Sequence, residues 1–124
     1  MCNTVSANSK QTEKTLLHHW QAFEAGDVET IMSDYATDAV LITPDGPLKG
    51  HAQIRSMFEK IFANMFPPNS ISLNLAKQIV EGEMAYILWS GSSALYNATF
   101  ATDTFVMRDG KIVAQTFAAQ LEKK

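Results

Sequence analysis

His19 and Asp103 are the two side chains whose type and place in this sequence offer chemistry. Counting about 100° per residue along a helix, Trp20, Phe23, Thr12 and His19 all fall within about 60° of Leu16, whereas His18 points away. His19 therefore flanks an apolar face. It either serves a pocket as acid, base or hydrogen-bond donor, or is a partly buried ring satisfied by a carbonyl or water. Asp103 alternates onto one strand face with Ala101, Phe105 and Met107, so it lines a cavity or stands on the face opposite the core. Enclosed by such neighbours its carboxyl would be pushed up, unless a charged His19 paired with it. The two are the candidate catalytic residues, as acid and base.

Other chemistries find little footing. His18 and His19 are adjacent and diverge on a helix, no H-x-x-x-H pair exists, and no zinc site or other metal centre is expected. Asp45-Gly46 belongs to neither an EF-hand nor a Gly-rich phosphate loop. Ser90 and Ser92 could be drawn into a triad with His19 and Asp103, but no G-x-S-x-G elbow supports them, and Gly91 reads as a bend in a strand. His51, after Gly50, caps or flanks a helix start. Asp34 and Asp38 read as solvated or capping residues. No cofactor is expected.

The elements that would position the pair follow from periodicity. A first helix begins near Ser9 or Thr12 and ends at Gly26, and Asp27 caps a second helix with Val28, Ile31, Met32 and Tyr35 on its apolar side. A short strand at 39–43 precedes a tight turn at 44–47. A third helix starts at Gly50 or His51, turns Ile54, Met57, Phe58, Ile61 and Met65 inward with Phe62 beside them, and stops at Pro67-Pro68. From Ser70 the period becomes two, with later strands at 84–92, 99–107 and 111–121. Asp109-Gly110 favours a type I′ hairpin. The order implies an α+β domain with helices on one face of a curved, mainly antiparallel sheet. Both faces of strands 84–92 and 99–107 carry bulky groups, so a partner subunit is expected on the outer face.

The chain has 124 residues, 46% of them hydrophobic, and a formal net charge of -3. That is material for one domain, read here as 10–124 after a disordered polar lead-in at 1–9. Its few lysines and arginines are scattered among acids, which argues against nucleic acid or anionic membrane as partner. Cys2 alone closes no intrachain disulfide. The N-terminal residues lack a signal-peptide apolar core, and no run of 18 apolar residues could span a membrane. A cytoplasmic protein is expected.

The stretch WQAFEAGDVETIMSDYATDAVLITPDGPLKGHAQIRSMF, with TDTFVMRDGKIVAQTF near the end, resembles the nuclear-transport-factor-2-like (NTF2-like) superfamily, in particular its ketosteroid-isomerase-like and SnoaL-like polyketide-cyclase-like members. The resemblance runs from about residue 10 to 121. It implies a cone-shaped fold, three N-terminal helices on a strongly curved sheet around a deep pocket, and a homodimer through the outer sheet face. It also implies a small apolar ligand, for which Trp20, Phe23, Tyr35 and Thr43, then Met57 and Phe58, then Tyr86, Leu88, Phe105 and Phe117 are the candidate binding residues. In ketosteroid isomerases a helix Tyr and a protonated strand Asp bind the enolate oxygen while a second Asp moves the proton. The matching positions here are His19, Asp103 and Thr43. An alcohol at 43 is no substitute for a carboxylate base, so the resemblance leaves the reaction open. Isomerisation, dehydration or cyclisation without a cofactor stands beside a homodimeric carrier and a purely structural dimerisation domain.

Overall fold

The computed structural model describes residues 2–124. Its elements are α1 (Cys2–Ala25), α2 (Val28–Met32), β1 (Tyr35–Thr43), β2 (Gly46–Lys49), α3 (Gly50–Asn64), β3 (Ser72–Glu81), β4 (Met84–Ser92), β5 (Tyr96–Arg108) and β6 (Lys111–Lys123). The polar stretch expected as a disordered lead-in at 1–9 is helical from Cys2 onward, and Met1 lies outside the described residues. Ser9 and Thr12, expected at the helix start, instead tie the helix to the β3–β4 turn. The Ser9 hydroxyl accepts from the Gly82 amide at 3.0 Å, and the Thr12 hydroxyl donates to the Gly82 carbonyl at 2.7 Å.

Gly26 ends α1 as its position suggested. With φ of 67° it is left-handed, and the pair of bonds from Asp27 N to Ala22 O and from Gly26 N to Phe23 O closes the last turn. A Cβ at this glycine would come within 2.8 Å of Pro68, so the turn also brings the chain after α3 against α1. Asp27 then caps α2, accepting from the Thr30 amide at 3.2 Å. The second helix is shorter than its apolar spacing predicts. Tyr35 leaves it for β1, because its backbone is taken up by pairing with Ile112 of β6.

The six strands form one sheet in the order β2-β1-β6-β5-β4-β3. All neighbours are antiparallel except β1 and β6, which run parallel. This corrects the expectation of a strongly curved, cone-shaped sheet: the ladder is open, and its end strands β2 and β3 do not pair with each other. The third helix is also not N-terminal to the strands, since α3 connects β2 to β3. Strand β2 itself lies in what reads as a tight turn. Only Pro44 and Asp45 make the turn, flanked by the Thr43–Gly46 pair. The Asp109-Gly110 hairpin forms as expected, with φ of 54° and 75°.

The helices cover one face of this mixed sheet. Leu16 and Ala22 of α1, with Ile54, Phe58 and Phe62 of α3, meet Ala85, Ile87 and Trp89 of β4 and Ala101, Phe105 and Met107 of β5. Tyr86 and Leu88, between those β4 residues, point the other way and are half-buried. Among the described residues no helix is long and apolar enough to cross a membrane.

Candidate functional site

A cavity of about 750 Å³ lies between α1, α3 and the inner face of the sheet. Helix α1 supplies His19, Trp20 and Phe23 to its wall, α3 supplies Met57 and Ile61, and β1 supplies Leu41 and Thr43. From the later strands come Trp89, Asp103, Phe105, Gln115 and Phe117. Most of this wall is apolar. Of its polar groups, Asp45, Gln53, Lys60 and Asn64 are exposed at the mouth, Thr43 and Ser56 are half-buried, and His19, Asp103 and Gln115 are buried at the inner end.

Asp103 is on the inner face, 7% exposed, with both carboxylate oxygens occupied. The Trp89 indole N–H donates to Oδ1 at 2.7 Å, and the Gln115 amide donates to Oδ2 at 2.8 Å. The Tyr35 hydroxyl in turn donates to the Gln115 carbonyl oxygen, so four side chains form one chain of hydrogen bonds along the inner wall. Burial pushes the Asp103 carboxyl up, and the bonds from Trp89 and Gln115 and the proximity of His19 oppose that shift without cancelling it. Burial also pushes the Tyr35 phenol well up, reinforced by the charges of Asp103 and Asp34, so it remains a neutral donor.

His19 is 6% exposed. Its ring is gripped edge-on by Tyr35, Phe105 and Phe58, with centroids 5.4, 5.6 and 6.2 Å away. Nδ1 does not face Asp103. It stands 3.4 Å from Oδ2 of Asp34, whose other oxygen is 2.7 Å from Nδ1 of His18. The direct His19–Asp103 contact expected from the sequence is thus not made, although both residues line the same cavity.

Eight of the expected site residues line the cavity: His19, Trp20, Phe23, Thr43, Met57, Asp103, Phe105 and Phe117. Tyr35 and Phe58 lie behind the wall, holding Gln115 and the His19 ring. Tyr86 and Leu88 are corrected: strand alternation turns them to the outer face, away from any ligand in this cavity. Thr43 has its hydroxyl engaged in the β1–β2 turn, donating to Gly46 O and accepting from Asp45 N, both at 3.1 Å. His51, in the first turn of α3, does not cap that helix but donates to the Tyr35 carbonyl of β1 at 2.8 Å. Asp34, expected to be solvated or capping, is 6% exposed. Gln115 was not anticipated at all. Its signal was available, because it shares the inward alternation with Phe117 on a strand otherwise apolar on that side.

Residues 16–115 are similar to the SnoaL-like domain. Among solved structures, an NTF2-like protein of unknown function from Burkholderia xenovorans is 21% identical, with a TM-score of 0.74 over 90% of this chain and 84% of that one. A SnoaL-like protein of unknown function from Burkholderia thailandensis is 16% identical, with a TM-score of 0.73 over 90% of this chain and 95% of that one. TerC, co-crystallised with polyporic acid, is 18% identical, with a TM-score of 0.71 over 89% of this chain and 92% of that one. At these identities the likeness is one of fold. No curated protein matches the chain.

Proposed function

Because the chain belongs to the SnoaL-like family of the NTF2-like superfamily, we propose that it encloses a small ring-containing carbonyl compound and moves a proton on it without a cofactor. The observation that carries this reading is the division of the cavity wall, with an apolar body and buried polar groups gathered at the inner end. With Nδ1 of His19 turned to Asp34, Nε2 is the ring nitrogen left for the cavity. It takes the proton from carbon next to the ligand carbonyl. Asp103, held toward its neutral form by burial, faces the oxygen as charge develops there, where an ionised carboxylate would oppose it. The engaged hydroxyl of Thr43 takes no part as a base.

1-Tetralone and tetralin, which differ by the carbonyl alone, test the reading. Tetralone should raise the melting temperature and tetralin should not. Deuterium uptake from D2O beside the tetralone carbonyl should exceed background by about 10²–10⁴-fold, and His19→Gln should lose it. Equal stabilisation by both compounds would sink the reading. Binding without exchange would instead leave a carrier that encloses the molecule unchanged.

A homodimer through the outer sheet face belongs to the same proposal. It is supported by half-buried Tyr86 and Leu88 and by Phe100, which is 52% exposed. Sedimentation at about 100 μM, far above the micromolar dissociation constant expected of a standard-sized interface, should give a dimer; a monomer there rules this assembly out.

A further inference from the structure

Adjacent histidines on a helix diverge by about 100°, so only a group lying beside the helix between them can reach both. Asp34 is that group. It sits at the joint between α2 and β1, and its backbone is held on both sides: its amide donates to Ile31 O at 3.1 Å, and its carbonyl accepts from Ile112 N at 2.7 Å. The preceding carbonyl, that of Ser33, accepts from the Lys111 ammonium at 2.6 Å. From this fixed base the carboxylate reaches His18, whose side chain is half exposed, and His19, which is buried.

Among the described residues, His19 Nδ1 and Asp34 Oδ2 are the buried side-chain polar atoms without a hydrogen bond, and they face each other across 3.4 Å. Without a proton on Nδ1, the lone pairs of two buried atoms would oppose each other. With that proton present, the arrangement is attractive and shortens to a bond with a small movement of either ring or carboxylate. Free neutral imidazole has no such partner and is not tied to this tautomer.

We propose that Asp34, steadied from the solvent side by His18, is the positioning residue that holds His19 in the tautomer with its proton on Nδ1 and an unprotonated Nε2 in the cavity. Asp34 touches no ligand in this arrangement and acts only through His19. The inference rests on the proton-transfer reading above, because it explains how the nitrogen that reading uses is kept free to accept. It also accounts for the second histidine: His18 occupies the outer carboxylate oxygen at 2.7 Å, leaving Oδ2 as the one aimed at His19.

The test is 15N NMR of the imidazole nitrogens at about pH 8.5, well above the ordinary imidazole value, assigned by single replacement of each histidine. In the wild type, Nδ1 of His19 should resonate as the protonated nitrogen and Nε2 as the unprotonated one. In Asp34→Leu a buried Nδ1–H would lose its acceptor, so the two nitrogens should exchange character. His18→Ala, which frees the carboxylate, should give averaged shifts between these limits. A wild-type His19 with its proton on Nε2, or a tautomer unchanged in Asp34→Leu, overturns the inference. If Asp34→Leu does not fold, the wild-type and His18→Ala spectra still decide. Adding 1-tetralone separates this question from the function: a tautomer that depends on Asp34 while tetralone leaves Nε2 unmoved fails the functional reading alone. An Nε2 that responds to tetralone with a tautomer indifferent to Asp34 fails this one alone.

Discussion

Phe105→Ala is expected to lower the unfolding free energy by about 3–5 kcal/mol, the largest loss from any single truncation in the cavity wall. The ring is 1% exposed, lies on the inner face of β5 and packs edge-on against His19. Removing it takes away transfer free energy and leaves a void beside a strand held by neighbours on both sides, so little can collapse into the gap. Phe117→Ala, whose half-buried ring already borders the cavity, should lose distinctly less. Urea unfolding with an unchanged slope measures both, and equal losses would show that the wall at Phe105 is looser than its burial implies.

Asp103 should respond to substitution in opposite directions according to what is left behind. Alanine strands the Trp89 indole N–H and the Gln115 amide, at about 1–3 kcal/mol each. Asparagine keeps an acceptor for Trp89 and, with the Gln115 amide turned over, a partner on the other side. It also spares the folded state the cost of keeping a carboxyl in a buried site where its ionised form is disfavoured. Because burial raises the folded carboxyl above its unfolded value, the folded state binds the proton more tightly. The stabilisation from this group is therefore complete below the unfolded value of about 3.9 and is lost as pH rises through the folded one. Asp103→Asn should accordingly match or exceed the wild type in stability at pH 7, and this advantage should shrink as the pH falls toward 4. Melting curves across that range check it; an asparagine variant as unstable as alanine would mean that the wall depends on a carboxyl at this place and not on its hydrogen bonds alone.

How much of this could be read beforehand depends on how local its causes are. Gly26, Asp27 and Asp109-Gly110 shape turns through their own backbone preferences, and each stands where the sequence places it. The spacing of Ile54, Phe58 and Phe62 made α3 legible for a similar reason. Tyr35 continues the apolar spacing of the second helix, and pairing with a residue of the last strand draws it into β1 instead. The open order of the sheet, with β2 and β3 as free edges, is likewise a fact about distant strands. At the site, the position of Asp103 among apolar residues marked it. Asp34 gave no such sign, since an acid beside a helix end is ordinarily solvated, and only the packing of α1 across that joint buries it.

The parallel seam between β1 and β6 also sets an order of assembly. Its paired residues, such as Val40 and Ala114, lie about seventy residues apart, whereas β3, β4, β5 and β6 join their neighbours through short connections. Local hairpins close quickly and distant pairings slowly, because the entropy of the long loop must be overcome first. During synthesis β1 and β2 emerge early and can pair with each other, yet the strand on which β1 will lie is the last to be made. Until β6 arrives, Ala39 and Leu41, both fully buried in the finished sheet, have no sheet to join. That interval is when the nascent chain is most exposed to aggregation.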